Sequence, residues 1–111
     1  MKKKSTNLTK IATTLCHKID QEYNKLTFEA GQRFFETYHD IMSCQRDCAN
    51  DITGEVDHYV EQGHFKLALE NIQNLRDTMK YCQAVIELQK QTVNLPKHIR
   101  ITRVSQNFKR L

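Results

Sequence analysis

Five histidines, four cysteines and thirteen carboxylates are the residues of this 111-residue chain best equipped for chemistry. Three histidines stand three positions after a glutamate: Glu36 with His39, Glu55 with His58, and Glu61 with His64. On a helix this spacing sets a carboxylate and an imidazole one turn apart, the arrangement that di-iron helical bundles use. Such bundles place the two pairs on facing helices and add a glutamate from each of two more. Here the third pair straddles Gly63, an expected turn, and the other two lie close along one stretch of chain. Glutamate is common on helix surfaces, and chance matches account for the three pairs.

Cys44 and Cys48 are four apart, so a helix carries both thiols on one face. Cys16, His17, His39 and Cys82 are the residues available to complete a tetrahedral zinc site. Structural zinc sites use two close cysteine pairs, commonly in a knuckle or loop, and this chain has one pair in mid-helix. The four cysteines fall on or near apolar stripes and no secretion signal precedes them. The reading is therefore four reduced thiols packed as small hydrophobes, with Cys48 in the core and Cys44 half-exposed.

The run Arg33-Phe34-Phe35-Glu36-Thr37-Tyr38-His39 is an arginine followed six residues later by a histidine. Over these seven residues it resembles the catalytic motif of HEPN ribonucleases, helical bundles of about this size. The resemblance implies that Arg33 and His39 would meet at a dimer cleft. In that family a polar residue usually follows the arginine, whereas here Phe34 does. Six residues also place the two side chains on different faces of a regular helix. The alternative is that both flank a buried aromatic row.

The chain has no glycine-rich phosphate loop, no nucleophile elbow and no His-Glu-x-x-His. A helical chain of this length rarely encloses the several hundred Å³ that a substrate pocket needs. The sequence therefore predicts no catalytic residue, no cofactor and no metal, and a protein that is not an enzyme.

Charge carries a different signal. Residues 5–94 hold nine Lys/Arg and all thirteen Asp/Glu, a balance of −4. Lys2, Lys3 and Lys4 precede them, and Lys97, Arg100, Arg103, Lys109 and Arg110 follow with no acid among the last seventeen residues. An acidic body with basic ends points to contact with something anionic. The C-terminal cations alternate with Ile99, Ile101, Val104 and Phe108. That pattern suits phosphates as well as an acidic protein surface, and it lacks a recognition-helix or aromatic pattern for reading bases. These five cations are the expected partner or phosphate contacts.

The elements that must position all this are helices. Three glycines and one proline are too few for the tight turns of a sandwich or barrel. Leu8, Ile11, Leu15, Ile19, Tyr23 and Leu26 recur every three or four residues, with Lys10, Thr14, Lys18, Gln21 and Lys25 on the opposite side. A turn is expected near Thr27–Gly31. Phe35, Tyr38, Met42, Ala49, Ile52, Val56 and Tyr59 form a second stripe, interrupted by Gln45 and flanked by Phe34, Ile41 and Cys48. Its width predicts a central helix touching two neighbours. The cap-type residues and Gly54 in Asn50-Asp51-Ile52-Thr53-Gly54 predict a kink or a short break there and a short extra helix over 54–62.

Gly63 suits the left-handed position that ends a helix. A last helix over 65–93 follows from Phe65, Ala68, Ile72, Leu75, Met79, Cys82, Ile86 and Val93, with Leu67, Tyr81, Leu88 and Leu95 as a second row. Residues 59–69 resemble the helix-turn-helix joint of tetratricopeptide repeats, with a glycine in the turn and Ala68 at the crossing. The likeness occurs once, and repeat arrays need several units, so it reads as a tight αα-hairpin. Pro96 stops the helix.

The expected fold is all-α: a three-to-four-helix antiparallel bundle or hairpin over 6–95, a disordered basic N-terminus over 1–5 and a basic extended arm over 96–111. No apolar run is long enough for a membrane span or a signal peptide, so a cytoplasmic or host-cell intracellular location is expected. The functional expectation is a small interaction protein, an adaptor, chaperone-like factor or inhibitor. It would dock on a larger protein through a helical face and the arm. The second reading is a nucleic-acid-associated accessory protein gripping phosphates with its basic termini. The wide stripes on the two later helices also predict self-association as a homodimer.

Overall fold

The computed structural model describes the backbone of residues 2–94 and the side chains of residues 7–94. Within these residues the chain forms three helices and no strand: α1 (Lys2–Asn24), α2 (Gln32–Glu61) and α3 (Phe65–Val93). The backbone is helical from Lys2, so α1 begins inside the basic segment 1–5. The expected turn separates α1 from α2, and α3 has the bounds that its stripe predicts. No helix among the described residues is long and apolar enough to cross a membrane.

The contacts fix the topology. Thr9 bonds Asp57, Cys16 bonds Asn50 and Tyr23 bonds His39, so α1 and α2 run antiparallel. Asn71 bonds Glu55 and Cys82 reaches Gln45, so α2 and α3 do the same. Each helix packs against both others. The wide stripe of α2 had suggested one central helix; three mutually packed helices bury each stripe against two neighbours instead.

Burial locates the stripes. Leu8, Ala12, Leu15, Ile19 and Leu26 are buried from α1 and its following loop, while Ile11 is displaced to the rim at 37% exposure. Lys10, Thr14, Lys18, Gln21 and Lys25 are exposed, as the periodicity predicts. In α2 the core row is Phe34, Tyr38, Met42, Ala49, Val56 and Val60. Phe34 therefore belongs to the centre of the stripe, whereas Ile41 and Cys48, expected beside it, are exposed. In α3 the core row is Ala68, Ile72, Leu75, Cys82, Val85, Ile86, Gln89 and Thr92. Tyr81 and Leu88 of the expected second row are half-buried, Leu67 is exposed, and Leu95 lies outside the described residues.

No break interrupts the chain at 50–54, and no separate helix covers 54–62: α2 runs on for 30 residues. The cap-type side chains bond elsewhere. Thr53 Oγ1 donates to the Ala49 carbonyl at 2.8 Å, and Asn50 Oδ1 accepts from the Cys16 thiol at 3.0 Å. Burial of Ala49 and Val56 on either side holds the helical path, and tertiary packing outweighs the roughly 1 kcal/mol that Gly54 costs.

Both connections use a glycine with positive φ. At Gly63 (φ 76°) the amide donates to Val60 O at 3.1 Å and the His64 amide to Tyr59 O at 2.8 Å. This is the Schellman pattern that closes a helix on a left-handed residue. Gly31 (φ 105°) precedes α2, and its carbonyl accepts from Phe35 N–H at 3.2 Å. Between the first two helices, Leu26 and Ala30 plug the end of the core. Gln89 fastens that loop to α3: its Oε1 accepts from Thr27 N–H and its Nε2 donates to Lys25 O, both at 3.0 Å.

Candidate functional site

The residues that sequence reading nominates for chemistry are scattered. Lys97, Arg100, Arg103, Lys109 and Arg110 lie outside the described residues. Arg33 is exposed, while His39 turns toward α1 and bonds Tyr23, so the HEPN-like pair does not meet within one copy of the chain. Glu36 is bonded by Gln32 and Glu55 by Asn71. His58 lies against Tyr59, with ring centroids 6.0 Å apart. Among the described residues no three His, Cys, Asp or Glu side chains gather as a metal site would require.

The cysteines divide differently from expectation. Only Cys82 is buried; Cys16 is half-buried, and Cys44 and Cys48 are both exposed. Cys48 is thus not a core residue, because its row falls beyond the arc that the neighbouring helices cover. The hydrogen-bonded Cys44 thiol pushes the Cys48 thiol above its ordinary pKa, and Asp51 and Asp47 add to the effect. Burial, with a smaller contribution from the Glu22 carboxylate, raises Cys82 to about 11. Neither Cys48 nor Cys82 has the electropositive surroundings that make a thiol reactive near neutral pH.

One cluster does assemble, where the last turn of α1 and the α1–α2 loop meet the first half of α2. The Tyr23 hydroxyl is 2.8 Å from His39 Nε2, and Asp40 Oδ1 is 3.2 Å from His39 Nδ1. A carboxylate only accepts, so in the neutral imidazole Nδ1–H donates to Asp40 and Nε2 accepts from the phenol. The Arg46 guanidinium lies over the Tyr23 ring, 4.5 Å from its centroid, and also bonds Asp47. On the other side of His39 the Phe35 ring is 4.8 Å away, and Phe28 stacks on Phe35 at 4.2 Å and 29°. The result is a continuous row: Phe28, Phe35, His39, Tyr23, Arg46.

Helical spacing explains the row. Phe35, His39 and Arg46 recur at four and seven residues, one position round from the buried row of Phe34, Tyr38, Met42 and Ala49. They therefore emerge at the rim of the core and are half-buried. Phe28 is 61% exposed, the most exposed large apolar side chain among the described residues. Sequence reading passed over Phe28, Tyr23 and Arg46 as site residues. The available signal was an aromatic in a short polar loop beside a glycine, together with the doubled Phe34-Phe35, of which only one can face inward.

A phenol, an imidazole and a carboxylate in series form a proton path. The cavity beside it, lined by Tyr23, Asn24, Leu26, Phe35 and His39, measures only about 160 Å³. That is below the usual size of a ligand pocket. The path therefore orients the row. A second feature lies between α1 and α3, a groove of about 430 Å³ lined by Asn7, Lys10, Ile11, Thr14, Leu15, Lys18 and Arg76. Comparison of the chain with protein-family models, curated proteins and solved structures returns no match.

Proposed function

We propose that this chain is a non-enzymatic interaction protein, an adaptor or inhibitor. In this reading the helical body docks on a larger protein through the row Phe28, Phe35, His39, Tyr23 and Arg46. The observation that carries the reading is the exposed Phe28 ring stacked on Phe35, at the end of a row closed by an arginine over a tyrosine. Aromatic and arginine side chains dominate interface hot spots, because each covers a large area at low entropic cost. Here the row is already ordered in the unbound chain by hydrogen bonds and ring contacts, which lowers the cost of binding. The basic segment after Pro96, with Lys97, Arg100, Arg103, Lys109 and Arg110, is the second contact in this proposal, as an extended arm clamping an acidic part of the same partner.

The test is affinity capture from native lysate with the full chain and with Phe28→Ala/Arg46→Ala, each with and without nuclease treatment. The reading expects a protein captured in near-stoichiometric amount by the wild type, insensitive to nuclease and lost with the double variant. Capture that survives the double variant, or that disappears with nuclease, rejects it.

A further inference from the structure

The net negative charge of the body conceals a division between its faces. Glu36, Asp40, Asp47, Asp51, Glu55, Asp57 and Glu61 are all on α2 and all exposed, against Arg33 and Arg46 on the same helix. The groove between α1 and α3 has the opposite character. Lys10, Lys18 and Arg76 line it, and among the described residues no carboxylate does. Two cations of the body are tied to acids, Lys25 to Glu22 at 2.8 Å and Arg46 to Asp47 at 3.3 Å. Lys10, Lys18 and Arg76 make no such pair among the described residues. Lys10 and Thr14 also border the next groove round α1, on its α2 side, where Asp57 and Glu61 lie, so Lys18 and Arg76 are the cations confined to the α1–α3 groove.

We infer that the α1–α3 groove binds the phosphate backbone of a nucleic-acid duplex without reading its sequence. Lys10 and Lys18 are eight residues apart on one helix, about 12 Å along its axis at 1.5 Å per residue. That span lets the two ammonium groups reach separate phosphates of one strand. Arg76 approaches from the opposite wall, and Asn7 adds an amide of the kind that contacts phosphate oxygens. Lys2, Lys3 and Lys4 belong to the first turns of the same helix α1.

The lining also chooses between ligand classes. Among the described residues the apolar atoms of the groove come from Ile11, Leu15 and the aliphatic stems of its long cations, whose charged ends stay in water. Among the described residues the groove has no aromatic platform on which unpaired bases could stack, so the contacts go to the backbone of a duplex. The acidic α2 repels the same backbone and restricts it to the α1–α3 side. This inference stands on different residues from the docking row and places phosphate contacts on the helical body.

Fluorescence polarisation of a labelled 20-base-pair duplex, with the full chain and sodium chloride from 50 to 200 mM, tests it. Three phosphates neutralised give a slope of about −2.7 in log K against log salt, or about 40-fold weaker binding across that range. Lys10→Gln/Lys18→Gln/Arg76→Gln should weaken binding at 50 mM by at least about tenfold and flatten the slope by about 2.7, with an unchanged circular dichroism spectrum. The same three substitutions should have the same effect in a chain already carrying Lys97→Gln/Arg100→Gln/Arg103→Gln. Wild-type affinity and slope in the groove variant would overturn the inference. So would no binding by the wild type at 50 mM, or equal affinity for a polyglutamate peptide of the same charge.

Discussion

Replacing Gln89 with alanine should weaken the fold more than any change at an exposed glutamine of α3. Gln89 is 5% exposed and sits in the apolar row between Ile86 and Val93. Its amide accepts from Thr27 N–H and donates to the Lys25 carbonyl, so one side chain fastens α3 to the loop joining the other two helices. The alanine variant loses both bonds and leaves an amide hydrogen and a carbonyl without a protein partner. Each such group costs about 1–3 kcal/mol when buried, and water reaching the end of the helices lowers the figure toward the bottom of that range. The total is about 2–3 kcal/mol. For a chain near 100 residues that lowers Tm by roughly 8–18 °C. Urea titration followed by circular dichroism at 222 nm, with exposed Gln91→Ala as control, measures it. Gln89→Glu keeps the acceptor but sets a carboxylate against the Lys25 carbonyl, so it should recover stability as its carboxyl protonates at low pH. A Gln89→Ala chain within about 0.5 kcal/mol of the control would refute the account of this junction.

The glycines should respond in opposite directions. A Cβ at Gly54 meets nothing within 4 Å on a helical backbone, so Gly54→Ala should stabilise by about 0.5–1 kcal/mol, read as a rise in urea midpoint. Gly63→Ala forces a Cβ into the left-handed region at φ 76° and should destabilise by about 1–2 kcal/mol in the same assay. Stability should also fall with alkali. Between the ordinary thiol value near 9.0 and about 11 the unfolded chain releases the Cys82 proton while the folded chain keeps it. Its contribution is full below pH 9 and is lost as pH rises to 11, by at most ~2.7 kcal/mol. Tyr38 and Tyr81, both raised chiefly by burial, add to the decline above pH 10. Urea midpoints measured from pH 8 to 10 should drop less in Cys82→Ala than in the wild type.

Helix identity and the hairpin joints were legible in the sequence because they depend on local rules. The three-four spacing from Phe65 to Val93 marks α3, and a glycine after Val60-Glu61-Gln62 marks its preceding cap. Which neighbour covers which row was not legible, because that depends on where the other helices lie. Phe34 and Phe35 have the same chemistry and adjacent positions, yet one is core and the other rim. Cys48 satisfied the apolar spacing and still fell outside the covered arc. Gln45 reads as an interruption of its stripe, and nothing in the spacing marks Gln89. In the structure Gln89 is buried and holds the loop, and Gln45 accepts a long contact from the Cys82 thiol at 3.7 Å. The aromatic row was hidden for the same reason: Tyr23 on α1 and Arg46 on α2 are far apart in sequence and meet only when the two helices pack together.

The proposed docking surface is the row ending in Phe28, in preference to the other large apolar side chains exposed among the described residues. Phe28 and Leu69 are both large and exposed, at 61% and 51%, and sit at the α1–α2 loop and at the start of α3. Isothermal titration of the captured partner into Phe28→Ala and Leu69→Ala chains separates them. The account predicts a loss of at least about tenfold in Kd for Phe28→Ala, the 1.4 kcal/mol or more of a hot-spot aromatic, and no more than a twofold change for Leu69→Ala. Full affinity in Phe28→Ala with a large loss in Leu69→Ala would contradict it.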